Sequence, residues 1–216
     1  MTYLELMNNV LRRMREDEVS NVTESTYSKM VGDFINDAKE SVEVAWDWSG
    51  LRNSLTVNTS IAGGTTYSLA GTQDKGKILN LINDTSNVFM EYRPISWFDD
   101  KRFNQDAVSG SPEYYTYNGV DSSGDAKIEV YPTPDDDYTL KANIVIRNAP
   151  LVNNTDTLDI PSAPVIHLAL AMLVRERGET GGQAAVEYFA IADRYLADAI
   201  AMDAQKHPDE TVWYSV

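Results

Sequence analysis

Residues 44–60 read VAWDWSGLRNSLTVNTS, and the change of period inside this stretch decides the fold. Up to Trp48 it is the tail of a longer pattern in which Tyr27, Met30, Val31, Phe34, Ile35, Ala38, Val42, Ala45 and Trp46 recur at three- and four-residue spacing. That spacing places them on one stripe of a helix of more than six turns. Ser49-Gly50 supplies a helix stop, and from Leu51 the text alternates polar and apolar as a half-buried strand does.

Downstream of this switch the period of two persists. Further β-prone runs occupy 66–69, 78–82, 88–92, 114–117, 127–131 and 138–146, separated by clusters of Gly, Asn, Asp, Ser and Pro. Short strands at this spacing predict an antiparallel sandwich or small barrel. Inside it, PISWFDDKRFNQD puts Ile95, Phe98 and Arg102 at helical spacing, which predicts a turn or two of helix over one end of the sheet.

Upstream, Thr2-Tyr3-Leu4-Glu5 is a capping-box pattern that starts a helix running to about Glu16, with Leu4, Met7, Leu11 and Met14 as its stripe. Helical texture returns after LDIPSAP, where Val165, Ile166, Ala169, Met172 and Leu173 recur and ERGETGG ends the run. A fourth helix carries Ala185, Tyr188, Phe189, Ala192, Tyr195, Leu196, Ala199 and Ile200 on one face, small enough for close helix packing. Pro208 then blocks continuation, and Val212, Trp213, Tyr214 and Val216 lie in an arm expected to be extended. The expected architecture is α+β: a four-helix bundle built from both ends of the chain (1–50 and 160–206), an inserted β lobe (51–159) and a C-terminal arm (207–216).

Composition narrows the chemistry. With no cysteine and only His167 and His207 as imidazoles among 216 residues, thiol catalysis and thiolate metal sites are excluded and histidine-rich ones have little to build on. Asp and Glu number 33 against 18 Lys and Arg, a formal charge of −15. That is the wrong sign for gripping phosphates by counterion release, yet it suits a surface that must pass DNA without holding it. No apolar run approaches the ~20 residues of a membrane-spanning helix, and the first residues carry charges instead of a secretory block, so synthesis in a cytoplasm is expected.

The most acidic run, Asp135-Asp136-Asp137 within YPTPDDDYTL, has consecutive carboxylates. Calcium loops instead space their ligands at alternate positions and add a turn Gly and a bidentate Glu. The run reads as the connection of a hairpin, with prolines presetting φ and Asp side chains bonding nearby backbone. His167, on the third helix, has no nucleophilic or acidic neighbour at triad-like spacing and reads as a core or interface residue; His207, before Pro208, reads as a helix-end cap. Gly63-Gly64 and Gly181-Gly182 lack the arrangement of a phosphate loop. Asp99-Asp100 with Asp106 supports an acidic hydrolase by residue type alone. No catalytic residue, metal site or cofactor is expected.

The order of features is more informative. VAWDWSGLRNSLTVNTSIAGGTTYSLAG after a long helix, GSPEYYTYNG before a strand, IEVYPTPDDDYTLKANIVI and TLDIPSAPVIHLALAMLVRERGE together resemble the head-to-tail adaptors of tailed bacteriophages, the tail tubular protein A type. The likeness covers about residues 1–205, and its sharpest parts are structural: the Trp-rich helix end, Ser111-Pro112 before Tyr114-Tyr115, and the Tyr-Pro-x-Pro-Asp link at 131–135. The resemblance implies a structural virion protein at the head–tail junction, assembled in the host cytoplasm as a dodecameric ring that joins the portal protein to a tail tube or nozzle protein. Genomic DNA would pass through its bore without specific binding. It also implies a portal-clamping arm, for which Val212, Trp213, Tyr214 and Val216 are the expected contacts, and a tail-facing β lobe presenting Trp97 and Asp135, Asp136 and Asp137. The alternative is a carbohydrate-binding module that uses Trp97, Tyr114, Tyr115 and Tyr117 as stacking platforms.

Overall fold

The computed structural model describes residues 1–60, 64–72, 76–106, 108–178 and 183–207. The architecture is α+β, and the chain divides into two compact units, 1–51 with 147–216 and 52–146.

The first unit holds four of the five helices found among the described residues. Helix α1 (Tyr3–Arg13) starts with the expected capping box: the Glu5 N–H donates to Thr2 Oγ1 at 3.3 Å and the Thr2 N–H to Glu5 Oε2 at 2.9 Å. Helix α2 (Thr26–Ala45) uses serines for the same purpose, Ser25 and Ser28 exchanging backbone-to-hydroxyl bonds of 2.9 and 3.0 Å. It stops before Trp48, because Trp46 is already extended. The Trp48 indole folds back into the core and donates to the free Val42 carbonyl at 2.7 Å. A 3-10 turn at Ser49–Leu51 follows. Gly50 stands there because a Cβ would collide with the Asp159 carbonyl oxygen of the returning chain.

Helices α4 (Ser162–Arg177) and α5 (Gln183–Ala204) come after the β unit. Gly178 ends α4 in the left-handed conformation, φ 62°, as the glycine run predicted. Here the packing departs from a closed bundle of four equivalent helices. α4 is the hub, packed by α1, α2 and α5, with α1 and α2 also in contact. The residues explain it: Val165, Ile166, Ala169, Leu170, Ala171 and Leu173 bury α4 on several sides. Among the described side chains of α5 the buried apolar positions are Ala185, Ala192 and Ala199, a narrow seam one heptad apart that fits one neighbour.

Residues 147–160 belong to this unit and are laced to it. Asn36 bonds both backbone groups of Leu151, at 2.8 and 3.1 Å. Lys39 donates to the carbonyls of Asn148 and Ala149 at 2.9 and 3.1 Å and pairs with Glu43 at 2.9 Å, both side chains being almost wholly buried. Backbone bonds from Tyr3 to Asp156 and from Leu158 to Met1 tie the start of the chain to the same segment.

The second unit is one curled, seven-stranded mixed sheet, a half-barrel that lies nearer the expected small barrel than a two-layered antiparallel sandwich. Its strands are β1 (Arg52–Asn58), β2 (Thr66–Ser68), β3 (Gly76–Asn83), β4 (Val88–Tyr92), β5 (Tyr114–Val120), β6 (Ala126–Tyr131) and β7 (Thr139–Ile146). The order is β1-β7-β3-β4-β5-β6-β2. The short join of β4 to β5 is parallel, with Glu91 opposite Tyr114 and Tyr92 opposite Tyr115. Between them α3 (Ile95–Phe103) returns the chain to the same end of the sheet, which is why these neighbours share a direction. Leu69, Leu81, Ile128, Val130, Leu140 and Ile144 form the buried inner face.

The reading of YPTPDDDYTL as a hairpin is corrected by this topology. β6 pairs with β5 and β2, whereas β7 pairs with β1 and β3, so residues 132–138 carry the chain between non-neighbouring strands. Alternation of side chains is the same for a strand whichever neighbour it takes; the partner is chosen by the shared core.

Candidate assembly surfaces

The expected arm residues Val212, Trp213, Tyr214 and Val216 lie outside the described residues. What precedes them is built in detail. At the end of α5 the buried Asp203 accepts from the Ser49 N–H (2.9 Å), the Ser49 hydroxyl (2.8 Å) and Lys206 Nζ (2.9 Å). Burial alone would raise the Asp203 pKa, but the Lys206 ammonium and the two Ser49 donors outweigh it and hold the carboxyl below its ordinary range. His207 Nε2 lies 3.0 Å from the same Ser49 oxygen. Ser, His and Asp are thus together, but in the order of a cap. The Ser49 proton points at the carboxylate, whereas a nucleophilic triad needs it pointed at an imidazole base.

His167 occupies a second junction. Arg13 Nη1 of α1 lies 3.0 Å from its Nε2, and the Tyr195 ring of α5 stacks on its face with centroids 4.0 Å apart and planes at 8°. Burial, and then the Arg13 charge, hold its pKa below the usual imidazole value. The sequence reading of His167 as a core or interface residue left both settings open, and neither partner was legible.

On the β unit, Trp97 is half-buried against Tyr114, Phe98 and Tyr131, at centroid separations of 4.8, 5.4 and 5.4 Å, with Arg93 and Lys101 over its ring. Tyr115 is buried, and the Tyr117 hydroxyl accepts from the Ile78 N–H. These are packing roles, so the rings proposed as sugar platforms are engaged with one another and with the sheet. Behind them, Arg102 of α3 reaches the buried Glu129 of β6, which also accepts from Asn118 at 2.6 Å. This ion pair holds the helix against the sheet.

Asp135, Asp136 and Asp137 are exposed. Asp135 accepts the Tyr138 hydroxyl at 2.6 Å and Asp136 the Asp137 N–H at 2.8 Å. These are local bonds that shape the link. Asp100 likewise holds Asn104 and Gln105 along the end of α3. Among the described residues no group of three or more His, Asp or Glu side chains is gathered as metal ligands, and no helix is long and apolar enough to cross a membrane.

Ser111 is held by Asn83, whose buried amide donates to its hydroxyl at 3.1 Å and to the Pro112 carbonyl at 3.2 Å, while Ser86 lies 2.6 Å away. The Ser-Pro segment is thereby aimed into β5, a structural use of the motif. The family model described as SU10 adaptor protein matches residues 1–212, almost the whole chain. The chain belongs to the SU10 adaptor protein family. It is therefore a phage structural adaptor, a virion component that associates with other head–tail proteins. No curated protein matches the chain. In this adaptor the exposed apolar side chains are spread over both units: Phe89, Tyr92 and Phe103 on the sheet unit, Ile191, Tyr195 and Met202 along α5.

Proposed function

We propose that copies of this adaptor assemble as a ring between the portal protein and a tail tube or nozzle protein, with the helical units forming the annulus and genomic DNA passing through without specific binding. The observation that carries the reading is the family match running over residues 1–212. The formal charge of −15 supports it, since fixed anions around a bore repel the phosphate backbone. In the same reading Trp97 and Asp135–Asp137 belong to the tail-facing lobe, and the segment beyond His207 clamps the portal through Val212, Trp213, Tyr214 and Val216. Ser49 and Asp203 fix the end of α5 from which that segment departs.

The test is to mix the full chain with portal rings and image the product. Added density of several adaptor copies at one portal face is expected, and a chain that never associates with portal would overturn the reading. Removal of 208–216 should reduce portal binding at least tenfold, because buried aromatic anchors contribute about 2 kcal/mol or more each. Undiminished binding of the shortened chain would reject the arm while leaving the ring in place.

A further inference from the structure

We propose that His167 is a proton-controlled clasp: neutral, it holds the last turn of α1 onto α4 through Arg13, and on protonation it releases Arg13 while keeping its stack on Tyr195.

The contact itself fixes the protonation state. A guanidinium has donors only, so at 3.0 Å His167 Nε2 must supply a lone pair, and the ring is neutral with its proton on Nδ1. A proton added to Nε2 would bring two N–H donors and two positive charges face to face, which removes the hydrogen bond and replaces it by repulsion. The Tyr195 ring responds in the opposite sense. It lies parallel to the imidazole at 4.0 Å, and a cation over an aromatic face is attracted to it. Protonation therefore weakens the tie to α1 and preserves the tie to α5, which gives the side chain two preferences selected by charge.

The surroundings leave Arg13 as the charge that acts on the ring. From α5 the face presented is the Tyr195 phenol, while Arg194 and Asp198, its neighbours along the helix, are exposed. From α2, Tyr27 is bonded to Arg177, and Lys39 and Glu43 are paired beside the 148–149 carbonyls. Along α4 the nearest ionisable residue after His167 is Arg175, two turns away and over the Phe189 ring. The Asn9 side chain orients Arg13 by accepting from its Nε at 3.0 Å. Burial and the guanidinium both depress the imidazole pKa, so the clasp stays closed through neutral pH and opens as pH falls below the ordinary imidazole range.

The test is an NMR titration of the full chain that follows the two imidazoles and the amides of residues 10–14. His167 is expected to titrate below pH ~6.5, its unperturbed value, and the amide signals of residues 10–14 should move with the same midpoint. Arg13→Gln should shift that midpoint upward, and His167→Gln should abolish the shared amide transition. Amides that ignore the His167 midpoint in the unmodified chain would overturn the clasp, and this readout needs no variant to fold. An Arg13→Gln midpoint unchanged from the parent would overturn it equally.

Discussion

Asp203 shows how one buried carboxylate can order the end of an element. It gathers two donors from Ser49 and one from Lys206, and removal of its charge weakens all three bonds at once. Because its folded pKa is depressed, the carboxylate stabilises the fold at every pH above its unfolded value, near 3.9, and that contribution is lost as pH falls through the lowered value. Asp203→Asn should cost about 1.5–3 kcal/mol at pH 7, the range for bonds to a charged group. It should also flatten the acid limb of a melting-temperature profile below about pH 4. An unchanged acid limb would show that Asp203 does not contribute there. Ser49 was visible in the sequence as part of a helix stop, and Asp203 only as one polar residue at the end of an apolar helix. Nothing in the spacing of residues 49 and 203 says that they meet.

At the scale of the element, α2 carries a signal that period reading recognises only when polar residues are kept in the count. Lys39 follows Ile35 by four positions and Glu43 follows Lys39 by four, so both fall on the buried stripe. A helix face meant for a dry core would reject them; here the pair faces the two carbonyls of the returning 148–149 segment. Lys39→Ala should destabilise by about 3–5 kcal/mol, since it breaks a buried ion pair and removes the donor to two carbonyls. The double variant Lys39→Met with Glu43→Leu should recover most of that loss, because neither charge of the pair is then buried. Urea midpoints of the three proteins decide it: a double variant no better than the single one would mean that the carbonyl bonds, and not the broken ion pair, dominate. The sheet teaches a complementary point. Each strand was legible from alternation within a few residues of its ends, but the partners of β6 and β7 were not.

At the scale of the whole molecule, the β unit is inserted in the chain through adjacent strands. Arg52 at its start lies opposite Val145 at its end, so a chain of residues 52–146 closes its own sheet without any part of the helical unit. Its inner face has a continuous apolar core of its own. Expressed alone, 52–146 should unfold cooperatively in urea and give a dispersed amide spectrum; a gradual, featureless transition would mean that it depends on the helical unit. The helical unit makes the opposite demand on the sequence, since α1 and α2 precede the insertion while α4 and α5 follow it, and α4 packs against both groups.

The sequence by itself determined the α+β class, the two helical ends and the capping of α1, because each follows from side-chain period or from hydrogen bonds three residues apart. The resemblance to phage adaptors was also carried by the chain's own order of motifs, which agrees with membership of the SU10 adaptor family. Tertiary structure alone decided that α4 is the hub, that 132–138 crosses between strands instead of turning a hairpin, that His167 lies between Arg13 and Tyr195, and that Asp203 caps Ser49. The physical reason is common to all four. A period fixes which face of an element is apolar, but the partner of that face is chosen by global packing among surfaces with equivalent patterns, and polar contacts between residues far apart in the chain follow from that choice.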